Sequence, residues 1–236
     1  MSFVRGLLFL VFASSSIAAP IDALILPLRE VDLSATLPGT IAEQPLKEGA
    51  AVTAGTPLAR FHDAEERLTR DRLAKILEKR RTDAEKSSGL FRDKVVTEDE
   101  ALQARIEFEI AEIDLALAEA RLHRRTVSAP FDGIVTKLAF EVGEWVEPGQ
   151  LVARLAQIDQ LYARILVPAA EAQRLTVGTA ATVRFPDLDL PDTQATVDRI
   201  DPQIDVTSGL RRVDLLLSNP RHLITPGARA TVDFAN

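Results

Sequence analysis

GTIAEQPLKEGAAVTAGTPLARF at residues 39–61 and GIVTKLAFEVGEWVEPGQLVARL at residues 133–155 are two copies of one pattern. Glycines recur at Gly39/Gly133, Gly49/Gly143 and Gly55/Gly149, a constant offset of 94 residues. Val52/Val146, Ala59/Ala153 and Arg60/Arg154 are identical at that offset, and Ile41/Val135, Leu46/Phe140, Leu58/Val152 and Phe61/Leu155 stay apolar. Each copy reads as short strands joined by tight turns. All six glycines are assigned to turns, Gly49 and Gly55 at points where φ must be positive. Two half-folds with a separate segment between them suggest one domain split by an insertion.

The inserted segment, residues 64–126, changes texture completely. It has no proline and one glycine, Gly89, and is rich in Arg, Glu, Lys, Leu and Ala, all good helix formers. The pattern breaks after Gly89 and restarts at Thr97-Glu98-Asp99-Glu100, where Thr97 caps and Glu100 completes a capping box. The expectation is two antiparallel helices, 64–92 and 98–126, each on the order of 40 Å long. The second helix carries two apolar stripes on nearly opposite faces: Ile106, Ile110, Ile113, Leu117 and Ala120, and Phe108, Ala111, Leu115, Ala118 and Leu122. One stripe zips the hairpin as a coiled coil. The other, assigned to Phe108, Ala111, Leu115, Ala118 and Leu122, is expected to pack laterally on a neighbouring subunit's hairpin. One broad apolar face with surface alanines is the alternative.

Residues 24–38 read as one or two lead-in strands with a proline interruption. After Leu155 five segments alternate apolar and polar residues, at 160–168, 180–185, 195–200, 212–217 and 228–234. Gly and Pro separate them, the pattern of a small antiparallel barrel. Residues 169–175 form a single short helix.

Composition removes several function classes. Apolar content of 46% with 27% charged residues marks a globular chain. Aromatics at 5% and a net charge of −7 argue against nucleic-acid binding. The absence of cysteine excludes disulfides, zinc-thiolate sites, a cysteine nucleophile and a lipidated N-terminal cysteine. His62, His123 and His222 are scattered, so no metal site is assigned, although His62 and His123 fall near the hairpin base. No Ser/His/Asp ordering or phosphate-binding glycine loop is present. The expectation is therefore no enzyme activity and no cofactor. Residues 1–18 read as a signal peptide, with Arg5, the apolar run Gly6–Phe12 and small residues at Ser16-Ile17-Ala18. An uncleaved anchor is the alternative.

The half-motifs, above all Ala129-Pro130-Phe131-Asp132-Gly133-Ile134-Val135 followed by Val142 to Gln150, resemble the halves of a lipoyl/biotinyl-type domain. The hairpin stands where a carrier domain has its lysine turn. The order of half-domain, hairpin, half-domain and barrel resembles the periplasmic adaptors, or membrane fusion proteins, of tripartite efflux pumps, over about residues 24–236. The resemblance implies an α+β, mostly β fold. It comprises lead-in strands of the barrel at 24–38, a split lipoyl-like β-sandwich at 39–63 and 127–156, an α-helical hairpin at 64–126 and a β-barrel at 157–236. The membrane-proximal domain is expected to be absent. The resemblance also implies a non-catalytic periplasmic linker between an inner-membrane transporter, of resistance–nodulation–division or ABC type, and an outer-membrane channel, assembled as a hexamer. Many adaptors carry a basic residue, a Leu and a Ser at the hairpin tip, and Lys86, Leu90 and Thr97 stand at that spacing. Lys lacks the planar donor fork of Arg, and Thr adds a methyl to Ser. The sole Met is the initiator, which excludes thioether metal capture. Two alternatives are a coiled-coil scaffold unconnected to export and a lipoyl or biotinyl carrier. The carrier needs a Met-Lys-Met or Asp-Lys-Ala tripeptide, and neither occurs.

Overall fold

The computed structural model describes residues 20–234. The signal segment at 1–18 lies outside them. The chain divides into one unit of residues 29–158 and a second made of the residues up to Leu28 together with those from Asp159 onward.

The first unit is organised by the repeat. Copy one forms β2 (Gly39–Glu43), β3 (Ala51–Val52) and β4 (Pro57–Phe61), and copy two forms β6 (Gly133–Leu138), β7 (Trp145–Val146) and the start of β8 (Leu151–Pro168). Between them stands β5 (Thr126–Ser128), which pairs with β4. β2 pairs with β4 through Ile41↔Phe61 and Glu43↔Arg60, and β6 pairs with β8 through Val135↔Leu155 and Lys137↔Arg154. These are the same positions one repeat apart. The short strands cross over: β3 pairs with β6 of the other copy, and β7 with β2. Gly49 N–H donates to Val135 O at 2.7 Å, and Gly143 N–H to Ile41 O at 2.9 Å.

Two small cores follow the same symmetry. One holds Ala35, Ile41, Ala59, Phe61, Val146 and Val152; the other holds Ala129, Val135, Ala153, Leu155, Val52 and Leu58. Each member of one core has its repeat equivalent in the other. Neither copy encloses a core alone, so the halves must clasp each other.

The glycines serve two purposes rather than one. Gly49, Gly55, Gly143 and Gly149 have φ between 84° and 94°, where an L side chain is strained. Gly39 and Gly133, assigned to turns from sequence, instead open strands β2 and β6. At Gly133 a Cβ would lie 2.5 Å from the Ala156 carbonyl oxygen, so the residue is required for close approach of neighbouring backbone.

One correction concerns residues 24–38. They are neither two strands nor a lead-in to the barrel alone. β1 (Ile21–Ser34) is a single strand that runs through Pro27. Its backbone bonding to the β12 side ends at Ile25, before the proline that lacks a donor. Val31, Leu33 and Ala35 then pack into the cores of the first unit.

In the second unit the strands β9 (Ala180–Arg184), β10 (Thr193–Ile200), β11 (Leu210–Ser218) and β12 (Arg229–Phe234) join β1 and β8 in the order β1-β12-β9-β10-β11-β8. A further β1–β8 pairing closes the ring into a barrel. Leu161, Ala163, Ile165 and Val167 alternate inward along β8, facing Val183, Val197, Leu215 and Val232 in a fully buried core. α3 (Ala169–Ala172) is the short helix expected before β9. Asp214 is 1% exposed; Arg164 donates to it at 2.7 and 3.1 Å, and Arg199 also pairs with it. Burial alone would raise its pKa, but the two arginines outweigh burial and hold it below the usual carboxylate range.

Candidate interaction surfaces of the helical hairpin

α1 (Ala64–Arg92) and α2 (Glu98–His123) form the arm. Its root is fastened to the split unit by polar bonds. Phe61 N–H donates to Arg125 O at 2.8 Å, and His62 N–H to Thr40 O at 3.0 Å. The Arg125 guanidinium donates to Glu66 at 2.8 and 2.5 Å and to Pro38 O at 2.8 Å. Arg125 was expected inside a helix running to 126; α2 stops at His123, and this frees Arg125 to tie the root.

The two stripes of α2 lie opposite to the expected way round. Ala111 and Ala118, each 5% exposed, are the only buried residues of the helix, and Phe108, Leu115 and Leu122 flank them half-buried. The stripe assigned to lateral packing is therefore the one that zips the hairpin. Alanines seven residues apart let α1 approach closely. Ile106, Ile110, Ile113 and Leu117 face solvent instead, Ile113 at 68%, and Leu102 continues the row toward the tip. α1 has no buried residue. Its half-buried side carries Arg70, Leu73, Leu77, Arg80 and Ala84. Arg80 pairs with Glu107 across the hairpin, and the Arg81 guanidinium lies 5.7 Å from the Phe108 ring centroid.

The tip is held by a cap on each helix. Lys94 N–H donates to Phe91 O at 2.9 Å and Val95 N–H to Leu90 O at 2.8 Å. This is a Schellman ending, with Lys94 at φ 60° in the place a glycine usually takes. On α2, Glu100 N–H donates to Thr97 Oγ1 at 3.3 Å and Thr97 N–H donates to the Glu100 carboxylate at 2.9 Å, completing the capping box read from sequence. The bond from the Thr97 backbone, joined by its hydroxyl, holds the Glu100 carboxyl below its ordinary pKa.

Lys86 and Leu90 stand one turn apart on α1, both exposed, and Thr97 is exposed at the start of α2. Lys86 makes no ion pair among the described residues. Sequence reasoning missed the apolar neighbours Phe91 and Val95, which are exposed beside Leu90. It also missed a groove of about 510 Å³ on the flank of the tip, with Ala84, Ser88, Phe91, Ala101 and Leu102 among its lining. A short run of apolar residues at a helix end signals burial as readily as exposure, so the sequence alone does not separate the two.

Among the described residues no group of three or more His, Cys, Asp or Glu is placed to hold a metal ion. No helix among them is long and apolar enough to cross a membrane.

Residues 160–236 match the family model described as CusB-like, beta-barrel domain. The cobalt-zinc-cadmium resistance protein CzcB of Cupriavidus metallidurans is 24% identical over 212 residues, covering 84% of this chain and 39% of that protein. The antibiotic efflux pump periplasmic linker protein ArpA of Pseudomonas putida is 25% identical over 214 residues, 84% of this chain and 58% of that protein. The chain thus spans less than two thirds of the length of these curated relatives. Among solved structures, a MacA-MexA chimera bearing the Pseudomonas aeruginosa MexA α-hairpin superposes with a TM-score of 0.79 at 18% identity, covering 92% of this chain and 78% of the other. The membrane fusion protein Spr0693 of Streptococcus pneumoniae superposes with a TM-score of 0.73 at 12% identity, covering 93% and 99%. The resemblance to membrane fusion proteins of tripartite efflux pumps holds for the barrel, for the relatives along most of the chain and for the fold.

Proposed function

We propose, from this membrane-fusion-protein architecture, that the chain is a non-catalytic periplasmic adaptor linking an inner-membrane transporter to an outer-membrane channel for export of small molecules. The observation that carries the reading is the hairpin. It is rooted in a split lipoyl-like unit, leaves one apolar stripe open along its length and ends in a double-capped tip with exposed apolar residues. Stable monomers seldom leave such a continuous row uncovered. The outward stripe Ile106, Ile110, Ile113 and Leu117 packs on a neighbouring copy in a ring, a hexamer in this reading. The tip, with Lys86, Leu90 and Thr97, meets the channel. The transporter is of the resistance–nodulation–division class, in keeping with the barrel match.

Deleting the gene and measuring tolerance to a panel of toxic compounds and metal ions tests the export role. Lost tolerance to at least one compound, restored by the wild-type gene but not by Leu90→Asp, is expected. Unchanged tolerance throughout would instead favour a scaffold unconnected to export. Leu90→Asp should leave helicity and melting nearly unchanged, since the side chain is already solvent-facing.

A further inference from the structure

The repeat pairs the outer surfaces of the split unit position by position, just as it pairs the cores. Copy one carries Lys47, Glu48 and Ala51 around its first tight turn; copy two, 94 residues on, carries Glu141, Val142 and Trp145. Each turn is bonded to a strand of the other copy, the first to β6 and the second to β2. β3 ends the sheet that contains β6, and β7 ends the sheet that contains β2. Val52 and Val146 point into the cores, so their neighbours Ala51 and Trp145 point out, from two different sheets.

The inward residues match across the repeat, whereas these outward ones have diverged. Glu48 serves the fold, accepting from Leu138 N–H at 2.9 Å. Val142, at the equivalent place, is 57% exposed. Trp145, the only tryptophan of the chain, is 58% exposed where copy one has an alanine, and its Nε1 donates to Glu147 at 2.7 Å. Glu141, Glu144 and Glu147 border this patch without an ion pair among the described residues. The charges also invert: Lys47 stands where copy two has Glu141, and Lys137 of β6 where copy one has Glu43 of β2. Both lysines are exposed and make no ion pair among the described residues. Of the acids beside them, Glu48 is bonded into the fold and Asp32 is held by Arg154. One side of the split unit is therefore acidic around an aromatic ring, and the other is basic around the small, exposed Ala51.

Two acidic sides facing each other would repel, so self-pairing of the Trp145 side is disfavoured. Acid meets base only head to tail, the contact that closes into rings. Tryptophan is enriched in such contacts, and lysines can cover its ring with their stems and place an ammonium on its face. We propose that the two sides are each other's partners in neighbouring copies. Trp145 and Val142 of one copy seat on the side of the next that carries Lys47, Ala51 and Lys137. This rests on the adaptor reading only in requiring several copies side by side.

The single tryptophan reports the contact directly. The full chain is followed by sedimentation and by acrylamide quenching of Trp145 as its concentration rises. Quenching should fall as the mass grows, and added salt should weaken both changes. Glu141→Lys with Glu144→Lys makes both sides basic, and Lys47→Glu with Lys137→Glu makes both acidic. Each variant alone should need about tenfold more protein to shield Trp145. An equimolar mixture of the two should shield it again. Circular dichroism melts confirm that both remain folded. A mixture that fails to restore shielding overturns the proposal, as does a wild-type chain that assembles with Trp145 still quenched. In that second case lateral packing of the hairpin stands while this pairing falls. A photo-crosslinker at Val142 whose adducts in cells are all with another protein also overturns it. The export role is judged separately, by the tolerance of the deletion strain.

Discussion

In the split unit, twelve core residues pair off one repeat apart and none is more than 7% exposed. In the hairpin that this unit carries, only Ala111 and Ala118 are buried, while a row of isoleucines faces solvent. The first region satisfies itself. The second has the composition of a packed element but only half of the packing. Apolar surface of this kind is stabilised only when something covers it, at about 25 cal/mol per Å². The contrast is what the proposed assembly through the arm rests on.

The largest expected effect lies in the self-satisfied region. Gly133→Ala places a methyl against the Ala156 carbonyl, so the β6–β8 ladder must part, at a cost of about 3–4 kcal/mol. Gly39→Ala, at the same repeat position, meets the Arg125 and Phe61 side chains at 3.0 and 3.3 Å, which can yield, and should cost about 1 kcal/mol. Urea unfolding of both checks this; equal losses would mean the copies are equally tight. Next, Leu155→Ala in a closed core should cost about 2–4 kcal/mol, and Leu115→Ala on the zipping stripe about 1 kcal/mol. Equal costs would erase the distinction between core and arm.

Smaller effects belong to the tip. Lys94→Gly relieves a positive φ in the Schellman turn and should stabilise the hairpin by about 1 kcal/mol in thermal melts. A loss instead would show that the lysine side chain holds the turn. The smallest effect is pH-dependent. Glu100 has a depressed folded pKa, so its contribution is fully present above the unfolded value and is lost as pH falls through the folded one. Acid titration followed by tip amide exchange should show this step in the wild type and not in Glu100→Gln, which removes the titrating group. A step that survives in Glu100→Gln would assign it to another carboxylate.

The repeat made the split unit legible, because the twelve core positions recur at a fixed offset. Arg60 and Arg154 match as well, yet their partners differ. Arg60 pairs with Glu43 at 3.2 Å, whereas Lys137 occupies the equivalent place in copy two and Arg154 turns to Asp32 of β1. The phase of α2 was not legible. Its two stripes have similar apolar content, and α1 offers little phase reference, since arginines at 70 and 80 sit on its half-buried side. The pair Ala111 and Ala118 was the usable signal, as small residues at heptad spacing mark the face where helices approach. Gly133 shows a related difficulty: a glycine needed for backbone proximity looks the same in sequence as one needed for a turn.

The central claim is that the outward stripe and the tip are covered by partners while the inward stripe is not. Photo-crosslinking residues placed singly at Ile113, Leu115 and Phe91 in cells test it most directly. The account predicts adducts between copies of this chain from position 113, adducts with an outer-membrane protein from position 91, and only intramolecular products from position 115. Intermolecular adducts from 115 rather than 113, or none from 113 and 91, would contradict it.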